Sequence, residues 1–198
     1  MDRQFIVSYQ IEDSLYLNIT NYCANRCDFC IRRTKSGVGY NLWLSREPSL
    51  PEVLDAVKDP RPYKEIVFCG YGEPLSRLEM VREVSAELKK RGARSIRINT
   101  NGQANSLYGC NVVPELAGLI DTVSISLNAQ DAATYVRLCQ PREGEQAYFS
   151  MLDFVRKCVG VIPRVILSVV EWPGVDVEAC RSIARELGAE FRLRKPTV

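Results

Sequence analysis

Short runs of β-branched and aliphatic residues alternate along the chain with stretches in which apolar positions return every third or fourth residue. Ile66-Val67-Phe68-Cys69, Ile96 to Asn99, Thr122 to Leu127, Arg164 to Val170 and Glu190 to Leu193 predict strands. Ahead of them, Phe5 to Ile11 and Leu15 to Thr20 flank the polar turn Glu12-Asp13-Ser14, which predicts a hairpin whose second arm is the first internal strand. Helical spacing predicts a helix over Leu44 to Asp59, with Ser49 as cap, Pro51 in its first turn and Val53, Leu54 and Val57 as its apolar stripe. A second runs from Leu78 to Arg91, with Leu78, Val81, Val84 and Leu88 on one side and Gly92 as its stop. Further helices are predicted near Pro114 to Leu119, over Ala147 to Cys158 and over Val177 to Leu187.

Six internal strands separated by segments long enough to cross over predict a largely parallel α/β sheet. An eight-stranded barrel needs about 250 residues. With 198 residues and no low-complexity linker, residues 1–198 predict one domain, a partial, open (β/α)6 barrel with an N-terminal hairpin. Polar and glycine-rich motifs follow the strands, among them Gly70-Tyr71-Gly72-Glu73-Pro74, Asn99-Thr100-Asn101-Gly102, Asn128 and Glu171-Trp172-Pro173-Gly174. Parallel strands end on one side, so these motifs gather at one mouth, where the functional site is expected.

Composition narrows the chemistry more than the class. A formal charge of +2, from 26 basic and 24 acidic residues, favours neither a nucleic-acid nor a membrane partner. No apolar run reaches bilayer length, and Met1-Asp2-Arg3-Gln4-Phe5-Ile6-Val7 lacks the plan of a signal peptide, so a cytoplasmic protein is expected. The chain has no histidine, which excludes a Ser-His-Asp triad and histidine-containing zinc sites. Thiolates, carboxylates, cations or a cofactor must do the work.

Eight cysteines are present, and three crowd into Cys23-Ala24-Asn25-Arg26-Cys27-Asp28-Phe29-Cys30. Soft thiolates select iron–sulfur clusters, zinc or copper(I). Three ligands leave one position unfilled, which is awkward for structural zinc unless a distant Cys69 or Cys110 joins. In a cubane cluster the iron without a cysteine is free to take a ligand. Cys69, Cys110, Cys139, Cys158 and Cys180 are dispersed, and most of them read as core thiols.

The Cys23-X3-Cys27-X2-Cys30 spacing, with Phe29 before the last cysteine, resembles the radical S-adenosylmethionine (SAM) superfamily. Gly70-Tyr71-Gly72-Glu73-Pro74 is similar to that family's second-strand segment at the methionine amino group, and Ser124, Ser126 and Asn128 resemble its fourth-strand contacts to the cofactor. The resemblance implies a 4Fe-4S cluster on Cys23, Cys27 and Cys30. It implies SAM held by Phe29, Gly70, Tyr71, Gly72, Glu73, Ser124, Ser126 and Asn128, with cleavage to a 5'-deoxyadenosyl radical. Glu73 is expected to offer its carboxylate to an ammonium, while Asn128 also reads as a plain turn cap. A flavodoxin or ferredoxin is the implied reductant, and no catalytic acid or base is assigned.

Within the superfamily, Leu15 to Thr20, Gly39 to Leu44 and Cys69 to Pro74 are most similar to the small TatD-associated radical SAM proteins, a resemblance that supplies no substrate. A small molecule or nucleoside is the favoured substrate class. A peptide or protein substrate, as for a glycyl-radical activase, is the alternative, although Asn99 stands where activases often carry an acid. A non-enzymatic iron–sulfur electron carrier or sensor is the competitor from another class. Glu171, Trp172, Arg192, Arg194 and Lys195 are further candidates for carboxylate contacts, and alternation puts Arg192 and Arg194 on one strand face.

Overall fold

A computed structural model describes residues 5–34 and 37–196. Met1 to Gln4, which enter the signal-peptide reading, lie outside the described residues. The elements are β1 (Ser8–Ile11), β2 (Ser14–Leu17), α1 (Leu50–Val57), β3 (Glu65–Phe68), α2 (Leu78–Lys90), β4 (Ile96–Thr100), α3 (Ala104–Tyr108) and α4 (Val113–Leu116). They continue as β5 (Thr122–Ser126), α5 (Ala132–Cys139), α6 (Gln146–Cys158), β6 (Arg164–Val170), α7 (Val177–Glu186) and β7 (Glu190–Arg194).

The strands form one sheet in sequence order, β1 to β7. β1 pairs antiparallel with β2, and every later pair is parallel. Each parallel connection carries helix, as crossovers require. The architecture is the expected open, partial (β/α) barrel of six parallel strands with an N-terminal hairpin.

β4 reads Ile-Arg-Ile-Asn-Thr and β5 reads Thr-Val-Ser-Ile-Ser. Parallel strands covered on both faces read as continuous apolar runs, so strict alternation gives the two faces different environments. Ile96, Ile98, Val123 and Ile125 join Leu15, Leu17, Ile66, Phe68, Val165 and Leu167 in one core with the helices. The other face carries Tyr16, Arg97, Asn99, Ser124, Ser126 and Ser168 and lines a polar lumen.

The helix predicted from Leu44 begins only at Leu50. Ser49 and Glu52 close a reciprocal capping box there, and Pro51 sits in the first turn. The segment before it is spent on the exit of β2: Asn21 Nδ2 donates to Leu44 O at 2.8 Å, Leu44 N donates to Asn21 Oδ1 at 3.1 Å, and Arg77 donates to Pro48 O at 2.9 Å. Two helices were not predicted. α3 is five residues long, too short for a periodic signal, and α5 follows the Asp131 cap, which accepts from Thr134 N at 2.7 Å.

Candidate functional site at the barrel mouth

The cysteine segment leaves β2 as a loop without regular structure, and α5 holds it in place. Arg26 N donates to Cys139 O and Asp28 N to Leu138 O, both at 2.9 Å, so the loop backbone satisfies the last carbonyls of that helix. Arg142 N donates to Ala24 O at 3.0 Å, and Gln140 Nε2 to Asp28 Oδ1 at 2.8 Å. Beneath the loop Asn25, Gln103 and Tyr135 form a buried triangle. Gln103 Nε2 donates to Asn25 Oδ1 at 2.9 Å and to Tyr135 Oη at 3.0 Å, and Asn25 Nδ2 donates to Tyr135 Oη at 3.1 Å. Arg32 adds a bond to Asn25 O at 3.1 Å. None of these four residues was singled out in the sequence, where only the place of Asn25 between two cysteines hinted at a role.

Cys23, Cys27 and Cys30 are half-buried. Burial, then the charge of Glu73, pushes the Cys23 thiol up to about 12. The Cys27 thiol is held below its ordinary value, chiefly by its hydrogen bond with the Cys139 side chain, with Arg32 acting the same way. Phe29 meets Trp172, beyond β6, edge-on at 5.6 Å between ring centroids, so the loop reaches across the mouth. An open groove of about 620 Å³ runs beside Cys23, bordered by Tyr22, Arg26, Gln140 and Arg142.

The exit of β3 crosses directly under the loop. A Cβ at Gly72 would lie 2.4 Å from Thr20 O and 2.7 Å from Tyr22 O, and one at Gly70 would lie 2.1 Å from Asn18 Oδ1. Glycine is required at Gly72 by backbone proximity, and at Gly70 by the buried Asn18 side chain packed against it. Tyr71 turns toward Trp43, 5.2 Å between centroids, and joins a small cluster with Tyr9 and Leu42. Glu73 is buried and engaged by protein donors: Thr100 Oγ1 at 2.7 Å and Leu75 N at 3.0 Å on Oε1, and Asn101 N at 2.7 Å on Oε2. Burial raises its carboxyl pKa while these donors pull it down. The carboxylate therefore ties β3 to the exit of β4, and its remaining acceptor capacity faces a small cavity shared with Tyr22, Ala24 and Asn101. Asn101 Nδ2 is buried without a partner.

Ser124 and Ser126 lie on the lumen side of β5, level with Asn99 and Ser168 respectively. Asn128 adopts a left-handed conformation, φ 57°, and its Oδ1 accepts from Val170 N at 3.2 Å. That is turn-cap geometry fastening β5 to β6. Glu171 and Lys195 pair with each other at 2.6 Å.

The donor set suits an iron–sulfur cluster. It is three thiols on one loop, with no imidazole in the chain and with the loop's one carboxylate, Asp28, engaged by Arg33 and Gln140. Among the described residues no three cysteine or carboxylate groups converge on a position for one metal ion. Convergence of that kind is what a single ion demands, whereas cluster cysteines each hold a different iron.

The family model for the Radical SAM superfamily matches residues 17–187. Among curated proteins, the chain is 34% identical over 130 residues to the tungsten-containing aldehyde ferredoxin oxidoreductase cofactor-modifying protein of Pyrococcus furiosus. The match takes in 62% of this chain and 32% of that protein, so the chain spans about a third of the relative's length. Among solved structures, a radical SAM methyltransferase from Sphaerobacter thermophilus superposes with TM-score 0.58 at 18% identity, over 95% of this chain and 68% of that one. The FeFe-hydrogenase maturase HydG from Carboxydothermus hydrogenoformans gives 0.67 at 20% identity, over 93% and 44%. With a parallel barrel, a stapled three-cysteine loop at its mouth and a family match across most of its length, the chain belongs to the Radical SAM superfamily of enzymes.

Proposed function

We propose that Cys23, Cys27 and Cys30 hold a 4Fe-4S cluster and that residues 1–198 work as one radical SAM unit on a small-molecule or nucleoside substrate. The observation that carries this reading is the stapling of an eight-residue, three-cysteine loop directly over the Gly72 backbone. When bound, the cluster supplies one electron to SAM, whose cleavage yields methionine and a 5'-deoxyadenosyl radical.

The chain's own residues bind and orient. Gly72 lets the exits of β2 and β3 approach backbone to backbone, and Gly70 makes room for the Asn18 side chain, leaving backbone groups for the cofactor's amino group. Glu73 fixes that segment through Thr100 and Asn101 and adds negative charge beside an ammonium. Phe29 and Trp172 cover the loop, and the Asn25-Gln103-Tyr135 triangle keeps it in one conformation, so little reorganisation accompanies binding. Ser124 and Ser126 offer hydroxyls from the lumen wall, and Asn128 positions β6.

A curated relative named for modifying a cofactor sits more easily with a small-molecule substrate than with a protein one. The small TatD-associated radical SAM proteins remain the proposed subgroup, with a flavodoxin or ferredoxin as reductant and the cytoplasm as compartment. Among the described residues no helix is long and apolar enough to cross a membrane. Anaerobic reconstitution, dithionite reduction and chromatography after SAM addition test the reading. The expected products are 5'-deoxyadenosine and methionine; a reduced, iron-loaded protein that leaves SAM intact speaks for an electron carrier or sensor instead.

A further inference from the structure

The lumen side of β7 carries two cations to which the described residues bring no acidic side chain. Arg97, Arg164 and Arg192 border a cavity of about 250 Å³ together with Glu65 and Glu190. Glu65 takes Arg97 at 2.8 Å, and Glu190 takes Arg164 at 2.7 Å. Both carboxylates are thereby used. Among the described residues, neither Arg192 nor Arg194 has an acidic side chain within 4.0 Å. Lys195 and Glu171 satisfy one another, so that carboxylate is also occupied.

Alternation along β7 and its register with β6 place these two arginines. Ser168 is level with Arg192 and Val170 with Arg194, and Ser168 is in turn level with Ser126. Phe191, on the opposite face, packs against the helical core under the Arg181 guanidinium, 4.5 Å from the ring centroid. Arg194 is the more enclosed of the pair, since its Nε is buried and has no hydrogen-bond partner. Burial lowers its pKa. The neighbouring Arg192 and Arg97 guanidinium charges act the same way.

A half-buried guanidinium with a buried, unpartnered Nε and no counter-charge is costly to the fold unless a ligand supplies that charge. Its planar fork matches a carboxylate or phosphate, and two such groups two residues apart on one strand suit a small dianion.

We propose that Arg194, assisted by the exposed Arg192 and the hydroxyl of Ser126, anchors an anionic group of the substrate, a carboxylate or a phosphate, on the lumen side of β7. The assignment rests on the radical SAM reading of the mouth and narrows its substrate to a small acid or phosphate ester.

The test uses the reconstituted holoprotein under anaerobic conditions, with inorganic phosphate in one calorimetric titration, succinate in a second and SAM in a third. The expected result is saturable binding of one of the two anions at one molecule per chain. Arg194→Gln should weaken it roughly tenfold or more and Arg194→Lys by less, with SAM affinity unchanged. The proposal is overturned if neither anion binds saturably, or if Arg194→Gln weakens SAM rather than the anion, which would give the guanidinium to the cofactor. Failure of the unsubstituted holoprotein to bind SAM would overturn the cofactor reading instead, and it is read in its own titration. A second measurement guards against a structural effect. The thermal midpoint of ligand-free Arg194→Met should rise, and a fall would show that Arg194 serves the fold rather than a ligand.

Discussion

The backbone amide of Glu73 donates to the carbonyl of Tyr22 at 2.6 Å, so the glycine-rich exit of β3 and the residue before the first clustered cysteine are joined by one hydrogen bond. Gly72 sits immediately beside that bond, facing backbone rather than a movable side chain. Gly72→Ala should cost about 1–3 kcal/mol of stability, as overpacking does. It should also lower the iron content of the reconstituted protein, because the displaced atoms belong to the cysteine loop. Urea unfolding and iron analysis of the same preparation check both effects, and unchanged iron would detach the β3 exit from the cluster.

Tyr135→Phe removes the oxygen on which two buried amide groups converge. The donors of Asn25 and Gln103 each lose a partner, and leaving such groups unsatisfied costs about 1–3 kcal/mol. A double-mutant cycle with Asn25→Ala should show coupling, since both residues belong to one network. Iron loss to a chelator should be faster in either variant than in the parent; equal rates would confine the triangle to the fold.

Substituting Cys23, Cys27 or Cys30 with alanine should abolish most bound iron and sulfide. Cys180 is fully buried against the helical core, and Cys180→Ala should lower stability while leaving iron in place. Iron lost at Cys180 and retained at the clustered positions would overturn the ligand assignment.

Stability should fall at alkaline pH. Burial pushes the Cys158 and Cys180 thiols from an ordinary value of 9.0 up to about 12, and the Tyr148 phenol from 10.0 up to about 12. The fold holds these protons more tightly than the unfolded chain does. Their contribution is complete below pH 9, and it is lost as pH rises from 9 toward 12. Urea midpoints measured from pH 8 to 11 should decline, and Cys158→Ala should flatten the decline while lowering the curve as a whole. A flat profile in the parent would contradict the burial of these groups.

Much of the architecture could be read from periodicity, because β4 and β5 alternate strictly and α2 keeps its apolar stripe over thirteen residues. The helix expected from Leu44 was too long because apolar Leu44 reads as helical, whereas its backbone serves the Asn21 side chain. The place of the cysteine loop, just past the end of β2, was legible in the sequence. Its supports were not: Tyr135 lies 110 residues from Asn25, and only the folded chain brings them together. The Glu73 carboxylate likewise looked free in the sequence, since Thr100 and Asn101, which claim its oxygens, come from the next strand.

Among the described residues no ladder of backbone hydrogen bonds joins β7 back to the hairpin. In a closed barrel, strand number and shear set the radius, and changing it means breaking such bonds. Here the girth can change at the seam with every ladder left intact. The bulk of molecule that the lumen admits is then governed by whatever lies across that seam, and chemistry of one kind can be offered to guests of different size without rebuilding the sheet.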